Sequence, residues 1–134
     1  MKQKTLLLIK PNSTGKNQIG AILKMVEENG FVIEKLKMFN MNSDLTDAFY
    51  VEHLGKGFYT ELSEFMRSGK IIGAVLSREE AVLKLRELVG NTDCTKAALG
   101  TVRSIYGESI GENAVHASDS IESAEREIGL IFPK

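Results

Sequence analysis

Residues 5–9, with the sequence TLLLI, constrain the fold of this 134-residue chain more than any other stretch. A short apolar run without alternation is typical of a β-strand that is buried on both faces. Pro11 ends the run, because proline has no backbone N–H to donate to a neighbouring strand. The chain is long enough to bury a substantial core, so we expect residues 1–134 to form a single domain.

Hydrophobic spacing along the rest of the chain predicts helices that alternate with strands. In chain order the predicted elements are strand 5–9, helix 19–29, strand 31–39, helix 43–52, helix 58–68, strand 71–76, helix 77–90, a strand at His116 and a helix to 128. This order predicts an α/β fold of the α+β type, a ferredoxin-like sandwich in which helices cover a four-stranded antiparallel sheet.

Two helix starts are predicted from capping patterns. Ser77 with Glu80 three residues later has the spacing of a capping box, and Asp119 followed by Glu122 predicts the start of the last helix. Residues 91–113 are polar and small with little periodicity, so a long loop is expected there. Loops of this length inside compact domains are usually functional.

Charge and cysteine content limit the classes of function. The chain has 17 Lys and Arg against 18 Asp and Glu, so it lacks the overall positive charge of a protein that binds nucleic acid or an anionic membrane. A single cysteine, Cys94, excludes an intramolecular disulfide and is typical of a reducing compartment. No apolar run approaches the ~18 residues of a membrane helix, and residues 1–11 do not resemble a signal peptide. We therefore expect a cytoplasmic protein.

His116 lies in the stretch NAVHASDS, residues 113–120, where a short strand runs into the predicted last helix. The N-terminus of a helix favours a nearby anion, and a neutral imidazole is a competent nucleophile at pH 7. This arrangement predicts a phosphoryl-transfer site. On these residues alone, a histidine packed at the mouth of a strand is an equally good interpretation.

Three cationic side chains are candidates to bind phosphate near His116. They are Lys10, Arg86 and Arg103, although each by itself is also an ordinary surface residue. Phe58 and Tyr59 are candidates to stack a nucleobase, but aromatic residues at helical spacing from Leu62 are more often part of a core. Tyr50 has the same two interpretations.

Metal ligands are absent at the usual spacing. His53 and His116 have no cysteine or histidine partners near them in the sequence, so a zinc site held by the protein is not expected. Any metal is expected to arrive with phosphate groups.

Five blocks of the chain resemble nucleoside diphosphate kinase, in order and with matching spacing. They are TLLLIKP at 5–11, the block 50–62, GTVR at 100–103, NAVHASDS at 113–120 and ESAEREI at 122–128. The resemblance covers essentially the whole chain, and the NxxHxSDS pattern is highly specific. It implies that a nucleoside triphosphate, typically ATP, phosphorylates His116 and that a nucleoside diphosphate such as GDP then takes the phosphate. This ping-pong exchange would maintain nucleoside triphosphate pools.

The resemblance also implies roles for other residues. Ser118 and Glu127 would hydrogen-bond around the histidine and fix its tautomer. The residues implied to hold the base are Phe58, Leu62 and Ile110, and those implied to contact phosphates or ribose are Lys10, Tyr50, Arg86, Thr92, Arg103 and Asn113. Lys10 and Tyr50 are expected in the catalytic set as well. Mg²⁺ would bind to the nucleotide phosphates, with Asp119 nearby and no protein side chain bound directly to the metal. The resemblance also implies a homo-oligomer.

Some positions depart from the family pattern. Leu99 stands where a proline usually precedes Gly-Thr, and Ser104-Ile105 replaces a usual Gly-Asp pair. We expect these changes to lower the stability of the loop or alter subunit contacts rather than the chemistry. Glu112 replaces a usual arginine and is expected to weaken phosphate binding. The chain stops at Lys134, soon after the last helix, so its oligomeric state is open.

Two alternatives stay open on the residues alone. Ferredoxin-like sandwiches also serve as non-catalytic binding modules, since fold does not fix function. The loop departures also fit a catalytically impaired relative that acts through protein contacts. The first alternative leaves His116 unexplained, and the second conflicts with an intact catalytic set.

Overall fold

The computed structural model describes residues 2–134, and at its centre lies a four-stranded antiparallel sheet. The strands are β1 (Lys2–Ile9), β2 (Val32–Phe39), β3 (Ile71–Glu79) and β4 (Val115–Ala117), in the spatial order β2-β3-β1-β4. The predicted fold class is confirmed. Residues 6–9 of β1 are fully buried, as expected for a central strand that is covered on both faces.

Seven α-helices and two short 3-10 helices connect the strands of residues 2–134. The helices are α1 (Pro11–Thr14), α2 (Ile19–Glu28), α3 (Ser43–Phe49), α4 (Tyr59–Arg67), α5 (Ala81–Val89), α6 (Val102–Tyr106) and α7 (Ile121–Ile131). The 3-10 helices cover Val51–His53 and Cys94–Lys96. Within the same residues, none of the helices combines the length and the apolar character needed to cross a membrane.

The sheet separates two apolar cores. Leu7 and Ile9 of β1 point to one face, where α2 and α5 cover them, whereas Leu6 and Leu8 point to the other face with α3, α4 and α7. This division follows from the two-residue period of a strand, which sends successive side chains to opposite faces. The layer of α7 lies against β1 and so comes close to β4, the edge strand that carries His116.

The predicted start of α5 at Ser77 is wrong. Antiparallel pairing with β1 extends β3 to Glu79, and the Ser77 hydroxyl donates to Glu34 Oε2 at 2.9 Å instead of capping a helix. Glu80 then turns the chain with φ 51°, and the helix begins at Ala81. Pairing along a whole neighbouring strand outweighs a local capping pattern.

The N-cap of the last helix lies one residue later than predicted. Ser120, not Asp119, is the N-cap of α7, and its hydroxyl oxygen accepts from Ser123 N at 3.0 Å.

Two helices are absent from the sequence-based prediction. The segment 91–113, where a long loop is expected, contains α6, and the Thr101 side chain at its N-cap accepts from Ser104 N. Helix α1 was not predicted either, although Pro11 occupies its first position, where proline fits well.

Candidate active site

His116 lies at the centre of β4, where it pairs with Leu8 of β1. Its imidazole is about one-fifth exposed. The ring of Phe49, at the end of α3, meets it edge-on with centroids 5.0 Å apart. A strand partner on one side and an aromatic edge on the other therefore fix where the ring lies.

One nitrogen of the imidazole is bound to a buried carboxylate. His116 Nε2 lies 2.8 Å from Glu127 Oε1, and the Ser118 hydroxyl donates to the same oxygen at 2.7 Å. A carboxylate only accepts, so Nε2 carries the proton and the lone pair of the neutral ring is on Nδ1. Within residues 2–134, Nδ1 makes no hydrogen bond.

Charge and burial keep the imidazole neutral. Burial lowers the pKa of His116 below its usual value, and the cations Lys10 and Arg103 lower it further. The hydrogen bond and charge of Glu127 act in the opposite direction without reversing the shift. At neutral pH the ring is therefore a free base, with its Nδ1 lone pair available.

The backbone just before β4 is strained. Ala114 has φ 75°, and Val115 N donates to Asn113 O at 2.9 Å, which closes a three-residue γ-turn. A positive φ is unfavourable for alanine and persists only where the surroundings hold it. Here Lys10 N donates to Ala114 O at 2.8 Å, so β1 holds the turn beside His116.

Lys10, at the end of β1, is buried and hydrogen-bonded within the site. Its Nζ donates to Asn113 Oδ1 at 2.8 Å, and Asn113 Nδ2 donates to Thr92 O at 3.3 Å. Burial, and secondarily the charge of Arg103, lower the pKa of Lys10 to about 7. The ammonium is therefore only partly charged at neutral pH and gains from an anion in contact with it.

Two arginines are positioned by backbone carbonyl groups. Arg103 donates to Gly90 O and Val115 O, both at 3.0 Å, and Arg86 donates to Ala117 O at 3.2 Å. Burial lowers the pKa of Arg103 to about 10, so it stays charged at pH 7. Among residues 2–134, its Nε is buried without a hydrogen-bond partner. On the sequence alone, Arg103 is either a phosphate-binding candidate or an ordinary surface residue, and the fold places it, largely buried, in the wall of a cavity.

A cavity of about 660 Å³ opens onto His116. It brings together almost all of the residues that the sequence singled out, namely Lys10, Tyr50, Phe58, Leu62, Arg86, Thr92, Arg103, Ile110, Asn113, His116, Asp119 and Glu127. Ser118 is fully buried behind Glu127 and does not line the cavity. Cationic side chains surround the histidine end, and apolar ones form the rim.

The apolar rim residues are exposed. Phe58 is 51 % exposed and Ile110 is 62 % exposed, whereas Leu62 is half-buried against the core. The core interpretation of Phe58 is therefore wrong. Tyr50, in contrast, is buried in the core, as one of its two interpretations expects, and it also borders the cavity.

Comparisons with known proteins identify the family of the chain. The family model described as nucleoside diphosphate kinase matches residues 3–134 of the chain. The chain belongs to the nucleoside diphosphate kinase family. It is accordingly an enzyme, a kinase that transfers phosphate between nucleotides.

Relatives resemble the chain over nearly its whole length. Nucleoside diphosphate kinase of Bdellovibrio bacteriovorus is 47 % identical over 98 % of this chain and 94 % of its own, and that of Sorangium cellulosum is 45 % identical over 97 % and 90 %. The solved enzyme of Aquifex aeolicus superposes with a TM-score of 0.95 at 41 % identity, covering 98 % of this chain and 96 % of its own. The enzyme of Halobacterium salinarum, solved in complex with CDP, superposes with a TM-score of 0.96 at 32 % identity, covering 100 % and 90 %.

Sequence reasoning missed three residues around this candidate site. Phe49 contacts the ring of His116. His53 lines the cavity, and the centroid of its ring lies 5.5 Å from that of Phe58. Arg126 lies 3.7 Å from Glu127 Oε2 and donates to two carbonyl groups at the end of α3. The position of Arg126 next to Glu127 was a usable signal, but the contacts of Phe49 and His53 arise only when α3 packs on the sheet.

The residues that depart from the family pattern differ in whether they line the cavity. Leu99 is almost fully exposed and Ile105 is about half exposed, and neither lines the cavity. Glu112 does line it, near Asn113. Of these substitutions, Glu112 is therefore the one in a position to act on a bound nucleotide.

The donor set suits a cation that arrives on a phosphate. Within residues 2–134 no group of three or more His, Cys, Asp or Glu side chains is placed to hold a metal ion. Asp119 contributes one carboxylate to the cavity wall. Mg²⁺ prefers oxygen ligands and commonly takes most of them from water and substrate phosphates, so it does not need a complete set of protein ligands here.

Proposed function

We propose that this kinase works through a phosphohistidine at His116, with Nδ1 as the nucleophile. The observation that carries the proposal is the hydrogen bond between His116 Nε2 and the buried carboxylate of Glu127, at 2.8 Å. This contact leaves the Nδ1 lone pair free beside a cavity that is lined with cations. A neutral, oriented imidazole in this setting is an activated nucleophile.

In the first half-reaction Nδ1 attacks the terminal phosphorus of a nucleoside triphosphate. The N–P bond forms, the bond from phosphorus to the bridging oxygen breaks, and the nucleoside diphosphate leaves with the electron pair. The imidazole becomes positively charged while Nε2 keeps its proton. Glu127 stabilises that charge, and the Ser118 hydroxyl keeps the carboxylate in place. A second diphosphate then reverses these steps, so one pocket serves donor and acceptor.

Lys10, Arg86 and Arg103 would compensate the charge that spreads over the transferring phosphoryl group. Within the described residues 2–134, the Arg103 Nε has no hydrogen-bond partner, so it can donate to a phosphate oxygen. Contact with a phosphate would offset the burial that lowers the pKa of Lys10, so Lys10 would become fully charged. Burial raises the pKa of Tyr50, so its hydroxyl stays protonated and can donate to a phosphate oxygen. Asn113 and Thr92 would bind the ribose or the phosphates.

The base would lie between Phe58 and Ile110, with Leu62 beneath it. Both faces of every nucleobase can stack, whereas edge hydrogen bonds discriminate between bases, so apolar walls give broad specificity. The CDP bound to the Halobacterium salinarum relative is consistent with a nucleoside diphosphate in this pocket. We expect ATP, GDP and other nucleotides all to serve as substrates.

We propose Mg²⁺ as the cofactor. When bound on the phosphate oxygens, it would neutralise part of their charge and orient them. Asp119 would hold it through water. The chain's own residues supply the remaining positive charge.

A homo-oligomer in the cytoplasm is also proposed. Strand β2 lies at an edge of the sheet, and Leu36 and Met38 on it are 50 % and 53 % exposed. An edge strand with apolar side chains can pair with its counterpart in a second copy of this chain about a two-fold axis. Cys94 is a free thiol, which suits a reducing compartment. Light scattering after gel filtration would measure the mass, and a monomer would contradict the oligomer.

The test is a two-step phosphorylation experiment. The protein is incubated with MgATP without an acceptor, its intact mass is recorded and the modified residue is located. GDP is then added. We expect one phosphoryl group on His116, which GDP removes with formation of GTP. A folded protein without modification would contradict the proposal and favour a catalytically impaired relative.

A further inference from the structure

The segment that carries Ile110 is a compact loop of its own. Residues 108–112, here called the rim loop, close on one carbonyl oxygen: the backbone N–H groups of Glu108 and Ser109 lie 2.8 and 3.3 Å from Glu112 O. Glu112 N donates in turn to the Ser109 hydroxyl at 3.0 Å. Ile110 lies in the middle of this loop and borders the cavity. Because the loop is closed on itself, whatever anchors it also sets the position of Ile110.

The carboxylate of Glu108 ties the rim loop to helix α1 and to Lys16, which follows that helix. Its Oε1 accepts from Lys16 Nζ at 2.5 Å, and its Oε2 accepts from Asn12 Nδ2 at 3.1 Å. Asn12 Nδ2 also reaches Glu112 O at 3.3 Å. Both ends of the loop are therefore tied to Asn12. The hydrogen bonds from Lys16 and Asn12 lower the pKa of the Glu108 carboxyl, so it is charged at neutral pH.

The anchor Asn12 is buried and lies two residues after Lys10 in the chain. It belongs to α1, which begins directly after Lys10. Lys10 is in turn hydrogen-bonded to Asn113, the residue that follows the rim loop. The loop is thus held at two places on the segment that follows β1, one through Glu108 and one through Asn113. A bound nucleotide would meet a base wall whose position relative to Lys10 is already set.

We propose that Glu108 is a positioning residue for nucleotide binding, which holds Ile110 against the base by tying the rim loop to Asn12 and Lys16. The inference rests on the proposed function, because it takes Ile110 as a wall of the base site. A wall ordered before the nucleotide arrives lowers the entropic cost of binding. The same wall contacts the base in the ground state and in the transition state, so its loss raises KM and leaves kcat unchanged.

The expected effect is modest. Lys16 and Glu108 are roughly half exposed, and exposed ion pairs contribute little because water and salt screen them. We expect Glu108→Ala to raise the KM of nucleoside diphosphates about threefold, with kcat changed by less than about twofold. Lys16→Ala should raise KM less, since the hydrogen bond from Asn12 to Glu108 stays in place.

The charge exchange tests the contact directly. Lys16→Glu and Glu108→Lys should each raise KM, and the double variant should restore it towards the original value. Lys84→Ala is the matched control, because it removes another exposed Lys–Glu pair, 3.8 Å to Glu87 on α5, that does not touch the rim loop. We expect its kinetics to equal those of the unmodified chain. If the charge exchange fails to restore KM, the proposed contact is overturned.

A double-mutant cycle with Ile110 separates positioning from a general loss of structure. In the Ile110→Ala background, Glu108→Ala should have no further effect on KM, because the wall that it positions is gone. The inference is overturned if the effect of Glu108→Ala persists in that background, or if kcat falls instead of KM rising. Should Glu108→Ala fail to fold, Glu108→Gln replaces it, since the amide oxygen can still accept from Asn12; it should raise KM in the original background and not in the Ile110→Ala background.

Phosphorylation of His116 by MgATP in the unmodified chain keeps the two proposals apart. Absence of that phosphorylation contradicts the proposed mechanism whatever the KM values are. Normal phosphorylation together with an unchanged KM in folded Glu108→Ala overturns only the role of Glu108.

Discussion

The two ends of the cavity are built in opposite ways. At the histidine end, Glu127 and Ser118 are buried and their hydrogen bonds to each other and to His116 are 2.7 and 2.8 Å long. At the rim, Phe58 and Ile110 are more than half exposed. A buried polar network keeps its geometry because each unmade hydrogen bond would cost free energy, whereas exposed apolar side chains gain contacts only when a ligand covers them. The structure therefore fixes the geometry around His116, whereas the proposed base site is exposed to solvent.

This contrast predicts that changes at the histidine end lower kcat and changes at the rim raise KM. The largest effect is expected for His116→Ala, which removes the proposed nucleophile. Transfer should fall by at least about 10⁴-fold, to the background rate, while the fold is kept, because the ring is partly exposed and its loss leaves a site open to water. Steady-state assays, intact mass and circular dichroism would check this. Near-normal exchange in the folded variant would remove His116 from the mechanism.

Arg103→Ala should have the second largest effect. Loss of one preoriented donor to a developing anion typically costs about 10²–10³ in kcat. The structure adds a cost in stability, since Gly90 O and Val115 O lose their donor, which we expect to lower the free energy of unfolding by about 1–3 kcal/mol. Turnover is compared with urea unfolding of the same variant. Unchanged kinetics would exclude Arg103 from the site.

Phe58→Ala tests the open end. Base–aromatic stacking contributes about 1–3 kcal/mol, so we expect KM to rise about tenfold while the rate of His116 phosphorylation at saturating ATP is kept. Val51→Ala is the control, because Val51 is similarly exposed but does not line the cavity. A fall in kcat without a change in KM would mean that the rim takes part in the chemistry, and the contrast between the two ends would fail.

The pH dependence should show the smallest effect. His116 reacts as the free base, and its lowered pKa places the rising limb of kcat/KM below the usual histidine value. Lys10 binds phosphate in its charged form, so kcat/KM should fall as the pH rises through about 7, by roughly eightfold between pH 6.5 and 8. In Lys10→Arg the cation stays charged and the falling limb should disappear. A falling limb that persists in Lys10→Arg would assign it to another group.

Local patterns in the sequence predicted most of the fold. The TLLLI run identified the central strand, and helical spacing located α2 and α4 to within a few residues of their observed ends. The pattern at Ser77 predicted a helix start wrongly, since pairing with β1 extends β3 through that residue. Local signals fail where a long-range partner competes with them.

For the candidate site, too, the sequence identified candidate residues and the fold decided their surroundings. The block around His116 and the cations Lys10 and Arg103 were singled out from the sequence, but each cation also had an ordinary surface interpretation. The fold places both cations in a buried cavity, lowers their pKa values and brings together side chains as far apart in the chain as Lys10 and Asn113, 2.8 Å from each other.

By itself, the sequence determined the order of the four strands and of the main helices, the antiparallel sheet and the type of chemistry, because these depend on side-chain periodicity and on which functional groups are present. The tertiary structure decided which imidazole nitrogen is free, how far Lys10 is from full charge and what holds the rim loop. Those properties depend on distances between residues remote in the chain, here from Glu127 to His116 and from Glu108 to Lys16. Hydrogen bonding and desolvation act over a few ångströms, so only the folded chain fixes them.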